Sequence, residues 1–390
     1  MIALICKDPF RLFFPVAIAS LLYGSGLWIA YSIFKIGNLP YVEHINLFLG
    51  GFLYYSILGF LLTAIPQFTS TKFLSKWELF KFCLVIFGSS VFQFIENDFF
   101  FWLSIFLGWT FLLIFGIRRF LSRKQNPPYT FVFVGTGVLF GLFGSLFILL
   151  SDYQFRLFGF LENWGKLFFY DAMVTSFILG IGGRLIPGIL GFVEIVKKQR
   201  GVYESPDPFF RVVPIDIFFS LFFFLMSFFL EGNNFDRLGF IFRALVVTYF
   251  SFKYWRLHEA IKTGKWHGRV LKLSCYLLLV ASWLLCFESE NSIHIKHLIY
   301  IGTYCLMTLM IASRVVIAHG NEGLDIEYSR MPYLIIGFLL TSASIMRATA
   351  YLFLDSYEGH LGHAAIFLFS GALFWTIGFF KKIFDLHLEE

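Results

Sequence analysis

Long apolar runs separated by short polar connections dominate the sequence. A helix needs about 20 apolar residues to cross the hydrocarbon core of a bilayer, and it pairs its own backbone polar groups there. The pattern therefore predicts an all-α, polytopic membrane helix bundle. Glu96, Asn97 and Asp98 separate the third run from the fourth and predict a helical hairpin. The twelve runs lie at about 12–34, 44–66, 79–95, 98–117, 129–150, 168–190, 212–230, 236–254, 270–287, 296–318, 332–354 and 361–383.

The basic residues of the polar connections are distributed unevenly between the two predicted sides of the membrane. With the N-terminus inside, 22 of the 31 Lys and Arg residues fall on the cytoplasmic side and 5 on the other, while 4 lie within runs. Short cytoplasmic loops of membrane proteins carry an excess of Lys and Arg. The distribution therefore predicts twelve spans with both termini inside. Since the longest polar stretches are only loop-sized, residues 1–390 are expected to form a single transmembrane domain.

The composition excludes most other classes of protein. Hydrophobic residues make up 58% and charged residues 14%, against about 25% charged residues in a soluble domain. The net charge of +6 does not indicate a nucleic-acid partner, because the basic residues lie between apolar runs and form no single patch. The five cysteines show no CxxC or CxxCH spacing, so the signatures of a zinc ribbon and of covalently attached haem are missing. The expected surroundings are the lipid bilayer.

Four arginines fall inside predicted spans, where a charge is costly. Arg184 and Arg314 are expected toward the cytoplasmic ends of spans six and ten, and Arg243 and Arg347 toward the outer ends of spans eight and eleven. Such residues normally face the interior of a bundle and hold a partner. They either reach the headgroups or order the bundle by ion pairing, or they bind an anion, since a guanidinium grips a carboxylate with two parallel hydrogen bonds.

The histidines are the candidate metal ligands. Imidazole suits iron and copper, and two pairs with i,i+3 spacing place both rings on one helix face. His319 ends span ten on the cytoplasmic side, 22 residues or about 33 Å along a helix from His297. These two cannot share one metal, so if both are ligands there are two sites. Five histidines are predicted to share one outer layer, namely His44, His294, His297, His360 and His363.

Four motifs place the sequence close to a known family. They are DPFRLFFP at 8–15, GFLLTAIPQFT at 59–69, GIGGRLIP at 180–187, and the stretch from His297 through Gly302 to SRVVIAHG at 313–320. Together they resemble the NnrS family of haem- and copper-containing bacterial membrane proteins linked to nitric oxide metabolism. The resemblance runs through nearly the whole chain, and the last motif is the most specific. In one departure, the stretch Val42-Glu43-His44 carries only one histidine where the family often has His-x-His.

The resemblance implies haem and copper as cofactors and resistance to nitrosative stress, in the cytoplasmic membrane of a bacterium, as the function. His44 and His297 are then the leading metal ligands, followed by His363 and His360. The haem propionates are assigned to Arg347 or Arg243, and a second, inner site to His319 with Arg314 and Arg184. Whether such a protein turns over nitric oxide, senses it or carries metal stays open, as does its electron donor.

Two other functions compete with this interpretation. A secondary transporter of a small anion fits twelve spans, intramembrane arginines and helix breaks, but it predicts similar halves, and GGRLIP in span six has no counterpart in span twelve. A respiratory oxidase subunit also has twelve helices and histidine ligands. Its His-Pro-Glu-Val-Tyr element is missing, which excludes direct membership.

Overall fold

The computed structural model describes residues 2–152, 159–197, 208–320 and 323–385. Of the residues in these four ranges, 84% are helical and none forms a β-strand. The predicted all-α, polytopic class is therefore confirmed. The twelve long helices are α1 Phe10–Ser32, α2 Tyr41–Thr69, α3 Lys76–Phe94, α4 Asp98–Leu121, α5 Phe131–Asp152, α6 Gly159–Leu190, α7 Ile215–Gly232, α8 Asp236–Lys253, α9 Trp266–Phe287, α10 Ser292–Ala318, α11 Arg330–Thr349 and α12 Tyr357–Phe379.

Each long helix coincides with one predicted run, and the described residues include 11 helices that are long and apolar enough to cross a membrane. The exception is α8, which forms where the run at 236–254 predicts it but carries four charged side chains. The inside location of both termini stays a prediction. Three of the basic residues behind it, Arg156, Lys198 and Arg200, lie outside the described residues.

The hairpin between α3 and α4 is confirmed, and its signals are local. Ser75 and Glu78 form a capping box at the start of α3, which satisfies backbone donors that the first turn leaves open. At the other end of the hairpin, the Asn97 side chain accepts a hydrogen bond from the backbone N–H of Phe100 and starts α4. Glu96, between the helices, adopts a φ of 56°, which lets the chain reverse within three residues.

Within the described ranges, three helices contain an internal π-helical segment, at Asn46–Leu53 in α2, Leu167–Ala172 in α6 and Tyr300–Cys305 in α10. Such wide turns are rare inside α-helices and occur frequently at functional sites, because they redirect side chains and free backbone groups. In α2 the segment begins two residues after His44, and in α10 it begins three residues after His297.

The chain divides into two compact units, which are described separately. Unit 1 comprises Met1–Phe10, Leu61–Gly188 and Phe192–Trp255, and unit 2 comprises Arg11–Phe60, Ile189–Gly191 and Arg256–Glu390. The predicted single transmembrane domain stays a prediction. Of the candidate site residues, only Arg184 and Arg243 belong to unit 1, and all the histidines named above belong to unit 2.

Unit 1 is packed through a glycine face on α5. A Cβ atom placed on Gly141 would lie 2.5 Å from the Trp109 ring, and one on Gly144 would lie 2.8 Å from the backbone N of Phe169. Real Cβ atoms essentially never come so close, so these glycines allow α4 and α6 to approach α5. Without a hydrophobic force between helices in lipid, such close backbone contact is what holds them together.

Unit 2 uses the same device between other helices. A Cβ atom on Gly51 of α2 would meet the Ser20 side chain of α1 at 2.7 Å, and one on Gly302 of α10 would meet Leu277 of α9 at 2.8 Å. Trp375 of α12 is fully buried and donates its indole N–H to the Ser313 hydroxyl at 2.8 Å. Small residues and a few interhelical hydrogen bonds therefore fix the spacing of α1, α2, α9, α10 and α12.

The glycine face of unit 1 gives a direct test. The substitution Gly144→Ala is expected to destabilise the protein by about 1–3 kcal/mol, because its Cβ meets the backbone of α6, which cannot rotate away. Gly135→Ala, on the exposed side of the same helix, has nothing within 4 Å and should be neutral or stabilising by up to about 1 kcal/mol. Thermal unfolding of both variants in the same detergent measures the difference. Equal melting temperatures would contradict the role given to Gly144.

Candidate functional site

His44 lies near the start of α2 with its ring between two aromatic side chains. The Trp28 ring of α1 meets it edge-on with centroids 5.8 Å apart, and the Phe48 ring stacks against it at 6.2 Å. The imidazole Nδ1 is shielded and has no hydrogen-bond partner. Beside it is a small void, narrower than a water molecule, whose lining includes Gly24, Ser25 and Leu368. A shielded ring nitrogen without a partner is costly to bury and is available to a ligand.

His297 lies one turn into α10 and holds its ring by a local hydrogen bond. Its Nδ1–H donates to the carbonyl of Ile293 at 2.7 Å, since a carbonyl oxygen can only accept. In the neutral ring the Nε2 atom then carries the lone pair. Metal-ligating histidines have this arrangement, because the bond to one nitrogen fixes the tautomer and orients the other.

Arg347 of α11 brings a third helix to these two histidines. Its Nη1 donates to Nδ1 of His294 at 2.8 Å, which keeps the His294 proton on Nε2. His297 lies close enough to Arg347, His294 and His44 to interact with each electrostatically. The structure thus brings together side chains from α2, α10 and α11 that are far apart in sequence. We call His44, His294, His297 and Arg347 the histidine–arginine cluster.

The other two outer histidines sit at the start of α12. His360 stacks on Phe353 with centroids 4.6 Å apart, and its Nδ1–H donates to the carbonyl of Ser356 at 3.1 Å. His363 is exposed, and its Nδ1–H donates to the carbonyl of Gly359 at 2.6 Å. The hydrogen bonds described for both therefore stay within α12 and the turn before it.

The predicted inner residues are held by contacts of their own. Arg314 donates to the Glu327 carboxylate at 2.6 Å. His319 donates from Nδ1 to the Val315 carbonyl at 2.9 Å, and its own carbonyl accepts from Arg11 at 2.7 Å. In unit 1, Arg184 is half-buried on α6.

Arg243 is the most buried of the four intramembrane arginines. Its guanidinium forms an ion pair with Glu231 of α7 and lies over the Phe228 ring, 3.9 Å from the centroid. Both partners belong to unit 1. The contacts match the ion-pairing role that the sequence leaves open for intramembrane arginines.

Sequence reasoning missed Glu327, which is the most buried acid with a described ion pair in unit 2. It lies in the short 3₁₀ helix Leu324–Tyr328 between α10 and α11, and its side chain is 1% exposed. Lys265 donates to it at 2.5 Å, in addition to Arg314. A loop carboxylate normally faces water, so Glu327 itself gives no sign of burial in the sequence. The one available signal was Arg314, a charged residue near the end of the preceding span that needs an acidic partner.

The described residues contain no group of three or more His, Cys, Asp or Glu side chains that converge on one point in the way a closed metal site requires. The cluster instead offers two imidazoles, His44 and His297, with an arginine and a third histidine beside them. Haem iron takes one or two protein ligands. Two imidazoles are thus a donor set for a metal that completes its coordination with other groups.

Comparison with known proteins assigns the family. The profile of the NnrS protein family matches residues 5–385, nearly the whole chain. The chain belongs to the NnrS family. Membership links it to nitric oxide metabolism and agrees with the membrane helix bundle described above. No curated protein matches it.

The buried carboxylate predicts a pH dependence. Burial opposes ionisation of Glu327, but the hydrogen bond from Lys265, the neighbouring His267 and the charge of Arg314 together outweigh it and hold the pKa below its ordinary value. A carboxyl with a lowered folded pKa stabilises the fold above its unfolded pKa of about 4.3, and the contribution is lost as the pH falls through the folded pKa. The melting temperature of the wild type should therefore drop more steeply below about pH 4.5 than that of Glu327→Gln.

The control for this measurement is Glu358→Gln, which removes an exposed acid paired with Lys35 in the same unit. Because exposed ion pairs contribute little, its melting curve should follow the wild type at every pH. If Glu327→Gln also follows the wild type through the acid range, the Glu327 ion pairs do not stabilise the fold.

Proposed function

We propose that this NnrS-family chain is a haem- and copper-containing membrane protein that acts in nitrosative-stress resistance in the cytoplasmic membrane of a bacterium. The metal is bound at the histidine–arginine cluster of unit 2, with His44 and His297 as its ligands. The same cluster receives nitric oxide or a related small molecule.

One observation carries the proposal. His44 keeps a shielded Nδ1 without a hydrogen-bond partner, while His297, from another helix and within electrostatic range, directs its proton to a backbone carbonyl. Leaving a buried polar atom unpaired costs about 1–3 kcal/mol. A fold keeps such an atom where a ligand satisfies it, and a metal is the ligand that two imidazoles select.

The π-helical segments support the same location. One follows His44 and another follows His297, each within three residues. Each wide turn rotates the residues before it relative to those after it. The histidine can therefore point toward the cluster while the rest of its helix packs in another direction. Such segments occur frequently at functional sites, and here two of the three described lie next to the proposed ligands.

The imidazoles of His44 and His297 suit a metal ion, but the side chains packed around His44 leave little space for a haem. The void beside His44 is narrower than a water molecule, so a macrocycle has to displace Trp28, Phe48 or both. Aromatic rings at this position are suited to flank a planar cofactor, since they offer flat apolar faces. A copper ion is far smaller than a macrocycle and does not need that space.

Arg347 is the proposed partner of the haem propionates. It projects into the same cluster, and the one hydrogen bond described for it, to His294, uses only part of its five-donor guanidinium. Arg243, the other candidate, already forms an ion pair with Glu231. His294 holds Arg347 in place and is the positioning residue of this arrangement.

The remaining predicted ligands keep secondary places in the proposal. His363 and His360 are candidates for a further ligand from α12. The inner site of His319 with Arg314 and Arg184 stays a prediction, and in the structure Arg314 binds Glu327.

The cofactor supplies iron or copper with an open coordination position, which is what binding of nitric oxide needs. The protein contributes the ligands, a fixed imidazole tautomer and a cationic side chain for the carboxylates. An apolar bundle also suits the substrate, because nitric oxide is small and uncharged and partitions into lipid. Turnover and sensing both begin with this binding step, whereas metal carriage needs only the ligands for the metal.

Optical and metal analysis test the proposal. Protein purified from haem-replete cells should be coloured, contain iron or copper, and change its spectrum when nitric oxide is added. His44→Ala and His297→Ala should each reduce bound metal about tenfold or more, because each removes a direct ligand. Arg347→Gln should retain part of the metal while weakening haem retention.

The matched control is His258→Ala, which removes a half-exposed histidine from a loop of the same unit. Its metal content should equal that of the wild type. A colourless, metal-free wild type from haem-replete cells would refute the proposal. Unchanged spectra in both ligand variants would refute the choice of His44 and His297.

A further inference from the structure

A second group of polar side chains is buried in unit 2 around Glu327. His267, at the start of α9, and Tyr333, in the first turn of α11, are both 0% exposed. The ring of His267 meets that of Tyr333 edge-on, with centroids 5.2 Å apart. The Nδ1 atom of His267 and the hydroxyl of Tyr333 are both buried without a hydrogen-bond partner. Two fully buried side chains whose rings are in contact thus each hold one unsatisfied polar atom.

The tautomer of His267 follows from its other nitrogen. Nε2 lies 2.8 Å from the carbonyl oxygen of Met310. A carbonyl oxygen has no proton to give, so Nε2–H is the donor. In a neutral ring, Nδ1 is therefore the bare nitrogen and presents a lone pair.

This lone pair faces a carboxylate. Nδ1 of His267 lies 3.9 Å from Oε1 of Glu327. Two electron-rich atoms at this separation repel each other in a buried site, and neither can satisfy the other without a proton. A proton on Nδ1, or a water that donates to Nδ1 and to the carboxylate, converts the repulsion into an attraction.

The charges around His267 act in opposite directions on its protonation. Lys265 and Arg314 both donate to Glu327, and both oppose a further positive charge on His267. The Glu327 carboxylate favours that charge. The unpaired Tyr333 hydroxyl belongs to the ring that meets the His267 ring edge-on. Because opposing charges meet at one buried position, the energies of the two protonation states are brought closer than burial alone allows.

We propose that His267 and Glu327, with the hydroxyl of Tyr333, form a proton-binding site beside the loop between α10 and α11. A proton from water binds Nδ1 of His267, the resulting imidazolium pairs with the Glu327 carboxylate, and release returns the proton to water. No electron transfer is involved. The site is separate from the histidine–arginine cluster and does not depend on the metal proposed there.

The two cationic side chains of this site, Lys265 and Arg314, are its contact with water. The Lys265 side chain is 15% exposed and that of Arg314 is 30% exposed, whereas Glu327 and His267 are at most 1% exposed. Both cations therefore stand between the carboxylate and water. Their long side chains can move aside and admit a water to the carboxylate without unfolding α9 or α10.

Solid-state NMR of the full chain in liposomes, labelled with ¹⁵N-histidine, tests the proposal. The difference spectrum against His267→Asn assigns the two ring nitrogens of His267. As the pH falls from about 8 to about 4, the Nδ1 signal should move from that of a bare nitrogen to that of a protonated one. At a given pH, Glu327→Gln should lower the ratio of protonated to neutral His267 about tenfold, because it removes the paired negative charge.

A second variant keeps the test independent of the fold of His267→Asn. Tyr333→Phe removes only a hydroxyl and should shift the signal of one buried histidine, while Tyr328→Phe, on an exposed neighbour, should shift none. A bare Nδ1 signal across the whole pH range would overturn the proposal. The readout needs neither haem nor copper, so the proton site can fail while the metal proposal stands, and the reverse.

Discussion

The cost of placing polar groups in hydrocarbon is the constraint on which the rest of this structure depends. A bare charge at the bilayer centre costs at least about 2.5–3.5 kcal/mol, and an unsatisfied backbone group costs several. The chain meets the second cost with helices throughout the described residues. It meets the first with partners, as in the contacts of Arg243 with Glu231 and of Arg314 with Glu327. Each buried polar atom left over therefore requires a specific explanation.

That constraint also decides how much the sequence could predict. Twelve helices, the hairpin at Glu96 and the family follow from runs, turn residues and motifs, which are local properties of the chain. Helix α8 is more highly charged for its length than the other eleven long helices. One of its charges, Arg243, is compensated by an ion pair with Glu231 on the preceding helix. The partner itself could not be predicted, since spacing along the chain does not say which helix faces which.

The site was predictable in its residue types and not in its grouping. His44, His297 and Arg347 stood out because ionisable groups are rare in such an apolar chain. Their meeting depends on how α2, α10 and α11 pack. That packing relies on glycines such as Gly302 of α10, where a Cβ atom would meet Ser344 of α11 at 3.0 Å, and on π-helical turns that no periodicity reveals. Glu327 was missed for the opposite reason. Its loop is polar, and only the fold shows that the loop turns inward.

The two polar centres of unit 2 share helices, and their separation limits how they can communicate. His297 and Arg314 are 17 residues apart on α10, roughly 25 Å at 1.5 Å per residue. Over that distance, one unit charge changes the energy of another by only about 0.7 kcal/mol at an effective dielectric constant of 20. Proton binding beside Glu327 therefore has little direct electrostatic effect on a metal at His297. If the two are coupled, the coupling is carried by movement of α10 or α11, each of which has one end at each centre.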